Sequence, residues 1–489
     1  MGRLVVVSNR VVAPDPGSAA QAGGLAVALK AALRGREGLW FGWSGARVDA
    51  FTGEVHRQRY DALEVATIDL AEADFEPYYN SYANGALWPV FHARIDLATY
   101  DPDAYDGYRK VNRQFAETLA AILAPDDLVW VHDYHLIPLA QELRRLGARN
   151  RIGFFLHIPF PPAQLFCTLP RHRDLAEALF SYDLVGMQTP DCVAEFEDYV
   201  LREAGGRRDG QRLRAFGLAT RAAAYPIGLD TEDFVALSRS APAVKAYDRM
   251  AARGVFRQLI VGADRMDYSK GLEERLRGFE RFLRAHPEMI REVLYLQIAP
   301  STRGEVAAYQ ELRNRVLALA GRINATWSDI DHAPMQCVNR NYSRAELAGI
   351  YRAARVGLVT PLRDGMNLVA KEYVAAQDPR DPGVLILSRF AGAAQQMSDA
   401  LIVNPYARDE VADALWRAIG MSADERLRRW EGLMTGVARD DVGAWCDTFL
   451  AALEMARQSS AETDKPERTF LPSLRRSWRA ATSGPSQPR

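Results

Sequence analysis

Short runs of β-branched and aliphatic residues alternate along this chain with longer stretches in which apolar positions recur every three or four residues. The first spacing suits strands buried on both faces and the second suits the helices that cover them. The pattern therefore predicts parallel sheets flanked by helices rather than a barrel of hairpins. Two such series are legible. The first places strands at Leu4–Ser8, Leu128–His132, Ile152–His157 and Leu184–Gln188, with helices near Gly24–Leu33, Tyr108–Ala124, Ile137–Leu146 and Pro190–Glu203. It closes at the Pro and Gly punctuation of Ala224-Tyr225-Pro226-Ile227-Gly228, and a second series opens with strands at Gln258–Gly262, Val293–Ala299, Val356–Thr360 and Val384–Leu387. The expected fold is α/β, with two Rossmann-like, doubly wound domains (residues 1–228 and 229–457) facing a central cleft. Residues 458–489 are polar, Arg-rich and Pro-containing, and read as a disordered or loosely docked tail. Ligands of such sheets sit beyond the carboxyl ends of the strands, so the residues just after each strand carry the chemistry.

Composition narrows the class without changing that picture. The 489 residues exceed one ordinary hydrophobic core, and 61 basic against 62 acidic side chains leave no dominant field of either sign. Nucleic-acid binding gets no support. Nowhere do about 18 consecutive apolar residues occur, so no segment reads as a membrane span, and the apolar run at Leu4–Val7 reads as a strand rather than a leader. A cytoplasmic protein is expected. Cys167, Cys192, Cys337 and Cys446 show neither a zinc spacing nor a Cys-x-x-Cys pair and read as structural thiols. His132 and His135 stand three apart, but no further cluster completes a metal site.

The densest candidate chemistry is Arg363-Asp364-Gly365-Met366-Asn367-Leu368-Val369-Ala370-Lys371-Glu372, a turn and helix start after a strand. Free backbone N–H groups and the helix dipole favour a phosphate there, Glu372 can accept from ribose hydroxyls, and Asp364 can face a sugar. A plain capped turn with Lys371 and Glu372 solvated fits equally well. Arg265 and Lys270, five residues apart after another strand, can hold a pyrophosphate and stabilise a departing nucleoside diphosphate; the alternative is a surface ion pair with Asp264 or Asp267. Only six of the 61 basic residues are Lys, yet Lys270 and Lys371 both fall in these segments. Ser8-Asn9-Arg10 and Gly23-Gly24-Leu25 offer a second phosphate site. Asp133 can orient an acceptor hydroxyl and His157 can bond a sugar hydroxyl, or both serve loop hydrogen bonding. Trp40-Phe41-Gly42-Trp43, Tyr78-Tyr79-Asn80 and Leu87-Trp88-Pro89 can stack on sugars, although core packing is the commoner fate of aromatic residues. Asp101-Pro102-Asp103 and Asp329-Ile330-Asp331 lack the strand context of a metal–diphosphate site.

Seven segments, in order, resemble the trehalose-6-phosphate synthase family of retaining glycosyltransferases, whose members have the two-domain GT-B fold. They are Ser8-Asn9-Arg10, Gly23-Gly24-Leu25, Leu39-Trp40-Phe41-Gly42-Trp43-Ser44-Gly45, Trp130-Val131-His132-Asp133-Tyr134-His135, Phe155-Leu156-His157-Ile158-Pro159-Phe160-Pro161, Asp267-Tyr268-Ser269-Lys270-Gly271 and the Arg363–Glu372 run. The resemblance implies transfer of glucose from UDP-glucose to glucose 6-phosphate, giving α,α-trehalose 6-phosphate and UDP. For the donor it implies Arg265 and Lys270 on the pyrophosphate, Glu372 on the ribose and Tyr342 near the base. Gly24, Leu368, Val369, Ala370 and Lys371 would complete the donor site, and Asp364 and His157 would hold glucose hydroxyls. For the acceptor it implies Arg10, Tyr79, Trp88, Asp133 and Arg303. The implied catalytic set is Asp133, His157, Arg265, Lys270 and Asp364, with no metal and no cofactor. Retention implies attack on the face that the nucleotide leaves, with a diphosphate oxygen taking the acceptor proton. Homo-oligomers are implied too. No Asp-x-Asp-Gly-Thr segment occurs, so a separate trehalose-6-phosphate phosphatase is expected downstream. The competing expectations are a glucosylglycerol-phosphate synthase and a catalytically silent, sugar-phosphate-binding homologue.

Overall fold

The computed structural model describes residues 2–11, 29, 33, 37–60, 62–253, 258–302 and 306–456. Gly24, Arg303, most of the helix expected over Gly24–Leu33 and the tail from Gln458 lie outside the described residues.

The second series of elements folds as its pattern predicts. Strands β11 (Gln258–Ala263), β12 (Val293–Ile298), β13 (Met335–Val338), β14 (Val356–Val359), β15 (Val384–Ser388) and β16 (Leu401–Val403) form one sheet in the order β13-β12-β11-β14-β15-β16. Every pair is parallel. Chain order reverses between β11 and β14, and the crevice at such a reversal is where doubly wound sheets take their ligands. The two charged segments, Asp264–Gly271 and Arg363–Glu372, follow these two strands.

The first series builds a larger sheet. Its strands are β1 (Leu4–Arg10), β2 (Gly38–Val48), β3 (His56–Tyr60), β4 (Leu63–Ala71), β5 (Leu128–His132), β6 (Arg151–Phe155), β7 (Leu184–Met187), β8 (Arg207–Asp209), β9 (Arg212–Ala215) and β10 (Leu218–Ala224). They lie in the order β3-β4-β2-β1-β5-β6-β7-β10-β9-β8. Parallel pairing runs from β4 to β10, while β3, β8 and β9 pair antiparallel at the two edges. Here the chain reverses between β1 and β5, which sets Arg10 and Asp133 at one switch point. The aromatic run read as a sugar platform belongs to β2: Trp40 and Phe41 are buried in the core, and the Trp40 indole donates to Ser8 Oγ at 2.9 Å.

Local signals fix the helices. Asp101 caps the helix Pro102–Ala120 by accepting from the Asp103 N–H at 2.9 Å, with Pro102 at the first helical position, so this Asp-x-Asp is a helix start. Thr189 and Pro190 repeat the device at Pro190–Arg202. The other Asp-x-Asp holds Arg291, with contacts of 2.6 Å from Asp329 and 3.1 Å from Asp331. The last described helix, Val442–Met455, crosses back from the second half to the first sheet. Phe449 stacks on Trp130 at 4.7 Å between ring centres and fills the space beside the Cα atoms of Gly153 and Gly186. Emptying so packed a site by Phe449→Ala costs about 3–5 kcal/mol.

Candidate active site

The switch point of the second sheet carries a preformed ion pair. The Lys270 ammonium donates to Asp364 Oδ2 at 2.5 Å, and Asn367 Nδ2 donates to the same oxygen at 3.0 Å. Asn367 sits in the left-handed region, φ 80°, and caps the helix Leu368–Ala376 by accepting from the Ala370 N–H at 3.2 Å. One residue thus ends the turn, starts the helix and orients Asp364. Burial opposes ionisation of Asp364, but the Lys270 charge and hydrogen bond, helped by His92 and Asn367, hold its carboxyl below the usual value. Behind the pair, Arg275 is wholly buried. It binds Asp264 at 2.8 Å, Thr360 Oγ1 at 2.9 Å and the Lys270 carbonyl at 3.1 Å, bolting β11, β14 and the Lys270 turn together. Asp264, the alternative partner for the nearby cations, is therefore already engaged inside the protein.

One turn into the helix, burial pushes Glu372 up to about 7, with Arg344 pulling against it. A carboxylate so poorly solvated gains most from new hydroxyl donors. Leu368 and Val369 are partly exposed in the first turn, whereas Ala370 is buried. Tyr342 is partly exposed under the Arg340 guanidinium, 5.4 Å from its ring centre. Lys371, expected along the nucleotide, requires correction. Its side chain is buried, its ammonium donates to the Ile227 carbonyl at 2.8 Å and Gln396 Oε1 at 2.9 Å, and desolvation lowers it to about 8. Lys371 joins the linker between the two series to the second half instead of lining an open ligand face.

The two switch points meet along a seam. A Cβ on Gly365 would come within 2.0 Å of the His157 carbonyl, so only glycine permits this approach beside Asp364. Arg363 donates to the Phe160 carbonyl at 3.3 Å across the same line. Arg265 is exposed at the end of β11 and holds its guanidinium 5.8 Å from the Trp88 ring centre, so a second-half cation lies on a first-half aromatic face.

On the first-half side, Asp133 sits at φ 74°, ψ 164°, a conformation that costs a non-glycine residue roughly 1–3 kcal/mol. Its Oδ1 accepts from the His157 N–H at 3.3 Å, and its own N–H donates to Phe155 O at 2.8 Å. His157 Nε2 lies 3.1 Å from His132 Nδ1; desolvation lowers His157 to about 3 and His132 well below its ordinary value, so both rings are neutral. Tyr79 lies within a wide π-type helix, Glu76–Leu87, and Trp88 directly follows it. Tyr79 stacks on His135 at 5.6 Å, and Tyr78 donates to Asn9 at 2.7 Å, tying the helix to the Ser8-Asn9-Arg10 turn. Arg10 is exposed, 5.8 Å above the Trp43 ring centre. The structure thus gathers Asp133 and His157, and Lys270 and Asp364, on the two sides of one seam. Sequence reasoning gave Asn367 no role and weighed His132 only as a metal ligand. A polar, turn-favouring residue just before a helix was the available signal for the first; the second meets His157 across 25 residues, which no local pattern encodes.

Two doubly wound sheets meeting at their switch points are the architecture of the GT-B glycosyltransferases. The profile of glycosyltransferase family 20 matches residues 8–455, and the chain belongs to that family. It is 47% identical over 453 residues to the trehalose-6-phosphate synthase of Sinorhizobium fredii, covering 92% of this chain and 98% of the relative. Among solved structures, an alpha,alpha-trehalose-phosphate synthase (UDP-forming) from Burkholderia xenovorans in complex with glucose-6-phosphate is 47% identical, with a TM-score of 0.89 and coverage of 93% of this chain and 100% of that one. A relative from E. coli bound with UDP-2-fluoro glucose is 43% identical, with a TM-score of 0.88 and coverage of 94% and 100%.

Proposed function

We propose that the protein transfers glucose from UDP-glucose to glucose 6-phosphate with retention, releasing α,α-trehalose 6-phosphate and UDP. The observation that carries this reading is the Lys270–Asp364 pair, set at the second switch point against His157 across the seam. Lys270 and Arg265 take the diphosphate and stabilise the charge it gains on leaving. Asp364, relieved of its ammonium, and His157 hold glucose hydroxyls; Glu372 takes the ribose, and Tyr342, Leu368, Val369 and the Ala370 backbone border the nucleotide, with Gly24 approaching it from the first half. Arg10, Tyr79, Trp88, Asp133 and Arg303 receive glucose 6-phosphate, residues 1–228 serving the acceptor and residues 229–457 the donor. The acceptor oxygen bonds to C1 on the face from which the C1–diphosphate bond breaks, and an oxygen of the departing diphosphate takes the acceptor proton. No carboxylate nucleophile and no metal enter the step.

No helix among the described residues is long and apolar enough to cross a membrane. A cytoplasmic location, a homo-oligomer and a separate phosphatase acting on the product complete the proposal. The test is NMR of the product after incubation with UDP-glucose and either glucose 6-phosphate or glycerol 3-phosphate. An α,α-1,1-linked disaccharide phosphate is expected. Product from glycerol phosphate alone overturns the acceptor, and no UDP release with either overturns catalysis.

A further inference from the structure

The His132–His157 pair contains more than a packing contact. His132 ends β5 with no exposed surface, whereas His157 keeps partial exposure just beyond β6. Their contact, Nδ1 of His132 to Nε2 of His157 at 3.1 Å, needs one donor and one acceptor. Two arrangements satisfy it. In one, His157 donates, and His132 must carry its own proton on Nε2. In the other, His132 donates from Nδ1, and His157 must carry its proton on Nδ1, the nitrogen left for a ligand.

The surroundings of His132 decide between them. Its Nε2 is buried and has no hydrogen-bond partner among the described residues. Nearby are Trp130, 4.5 Å away between ring centres, and Trp445 of the last described helix, 6.1 Å away; both indole nitrogens are also buried without an acceptor among the described residues. Indole is a donor only. A proton on His132 Nε2 would add a third orphaned donor to a pocket that already has two, and a buried N–H without an acceptor is costlier than a bare ring nitrogen. A lone pair at Nε2 is therefore favoured, which puts the His132 proton on Nδ1.

We infer that His132 is a positioning residue that fixes His157 as the Nδ1–H tautomer, so that His157 presents a hydrogen-bond donor, and no acceptor, to the donor sugar. The sugar site then discriminates by chemistry: it requires an oxygen able to accept at that position. This rests on the reading of His157 as a glucose-hydroxyl ligand. Desolvation keeps both rings neutral, so the arrangement is not lost to protonation near neutral pH.

The test is long-range proton–nitrogen NMR on the full chain with nitrogen-15-labelled histidine; eight histidines make assignment by single substitution practical. Protonated Nδ1 and bare Nε2 are expected on both rings, and Nε2–H on either overturns the inference. Kinetics supply a second readout. His132→Leu should lower kcat/KM for UDP-glucose by about tenfold, the equivalent of one hydrogen bond. The KM for glucose 6-phosphate should change less than about twofold, and His132→Asn, whose amide N–H can replace Nδ1–H, should recover most of the loss. Equal losses in His132→Leu and His132→Asn contradict the inference. Unchanged donor kinetics in His157→Leu, with the tautomer as expected in the parent protein, overturn the sugar-ligand reading instead.

Discussion

The two sides of the seam are built on different plans. On the second-half side the charges at the switch point are already paired: Lys270 donates to Asp364, Asn367 donates to the same carboxylate, and Arg275 pins the Lys270 turn from behind. On the first-half side the cation is presented on an aromatic face, Arg10 over Trp43, with no ion pair among the described residues, while Asp133 is held in a costly backbone conformation by its neighbours. A prepaired site exchanges one set of ionic contacts for another when the diphosphate arrives, so little reorganisation accompanies charge development. The aromatic-backed side keeps Arg10 poorly engaged until a phosphate reaches it. The first plan favours rate and the second favours recognition.

Substitutions can break or sharpen this contrast. Lys270→Ala should lower kcat by about a thousandfold, the upper range for losing one preorganised group that stabilises developing charge, with the KM for glucose 6-phosphate almost unchanged; a purely acceptor-side defect in steady-state kinetics would contradict the assignment. Gly365→Ala strikes the seam itself. Its Cβ must push the His157 carbonyl away, and a shift of about 1 Å in a reacting geometry costs roughly a hundredfold in rate, while circular dichroism should report a folded protein. Arg10→Ala should raise the KM for glucose 6-phosphate by about tenfold to a hundredfold, the equivalent of one charge-assisted hydrogen bond, and leave UDP affinity intact. The smallest effect concerns pH. Glu372 is raised to about 7 in the folded protein, and hydroxyl donors favour its ionised form. UDP affinity should therefore rise severalfold as pH climbs through about 7, with proton release on binding seen by calorimetry in buffers of different ionisation enthalpy. Without ligand the sign reverses: the folded state binds more protons than the unfolded chain between their two values, so stability falls as pH rises through that window. Glu372→Gln should flatten both curves.

Much of this was legible in the chain. Strands such as Leu128–His132 and Val356–Val359 are short apolar runs with a polar residue beyond them, and burial on both faces leaves such runs little alternative to a parallel sheet. Lys270 and Asp364 stood out in segments that follow such strands, but their pairing with each other did not, since Asp264 and Asp267 were the nearer partners in the sequence. The missing pieces depend on distant partners. Lys371 stands within the same motif as Glu372, yet its amine turns to Ile227, a contact between residues 144 apart that no local pattern encodes. The strands β2 to β4 were hidden because the aromatic residues of β2 read as a ligand platform when the Ser8 hydroxyl and the core claim them. The Glu76–Leu87 helix has no periodic signature, since its extra residue per turn scrambles the apolar stripe.

Because Trp445 and Phe449 reach β5 and β6 only from the helix Val442–Met455, the first sheet is completed by a segment made after every strand of the second. A nascent chain halted before that helix shows an open apolar trough around Trp130 and Phe155, with His132 beside it. Such a surface is a natural client for chaperones and a route to aggregation, and the pocket that holds His132 does not exist until that helix has been made.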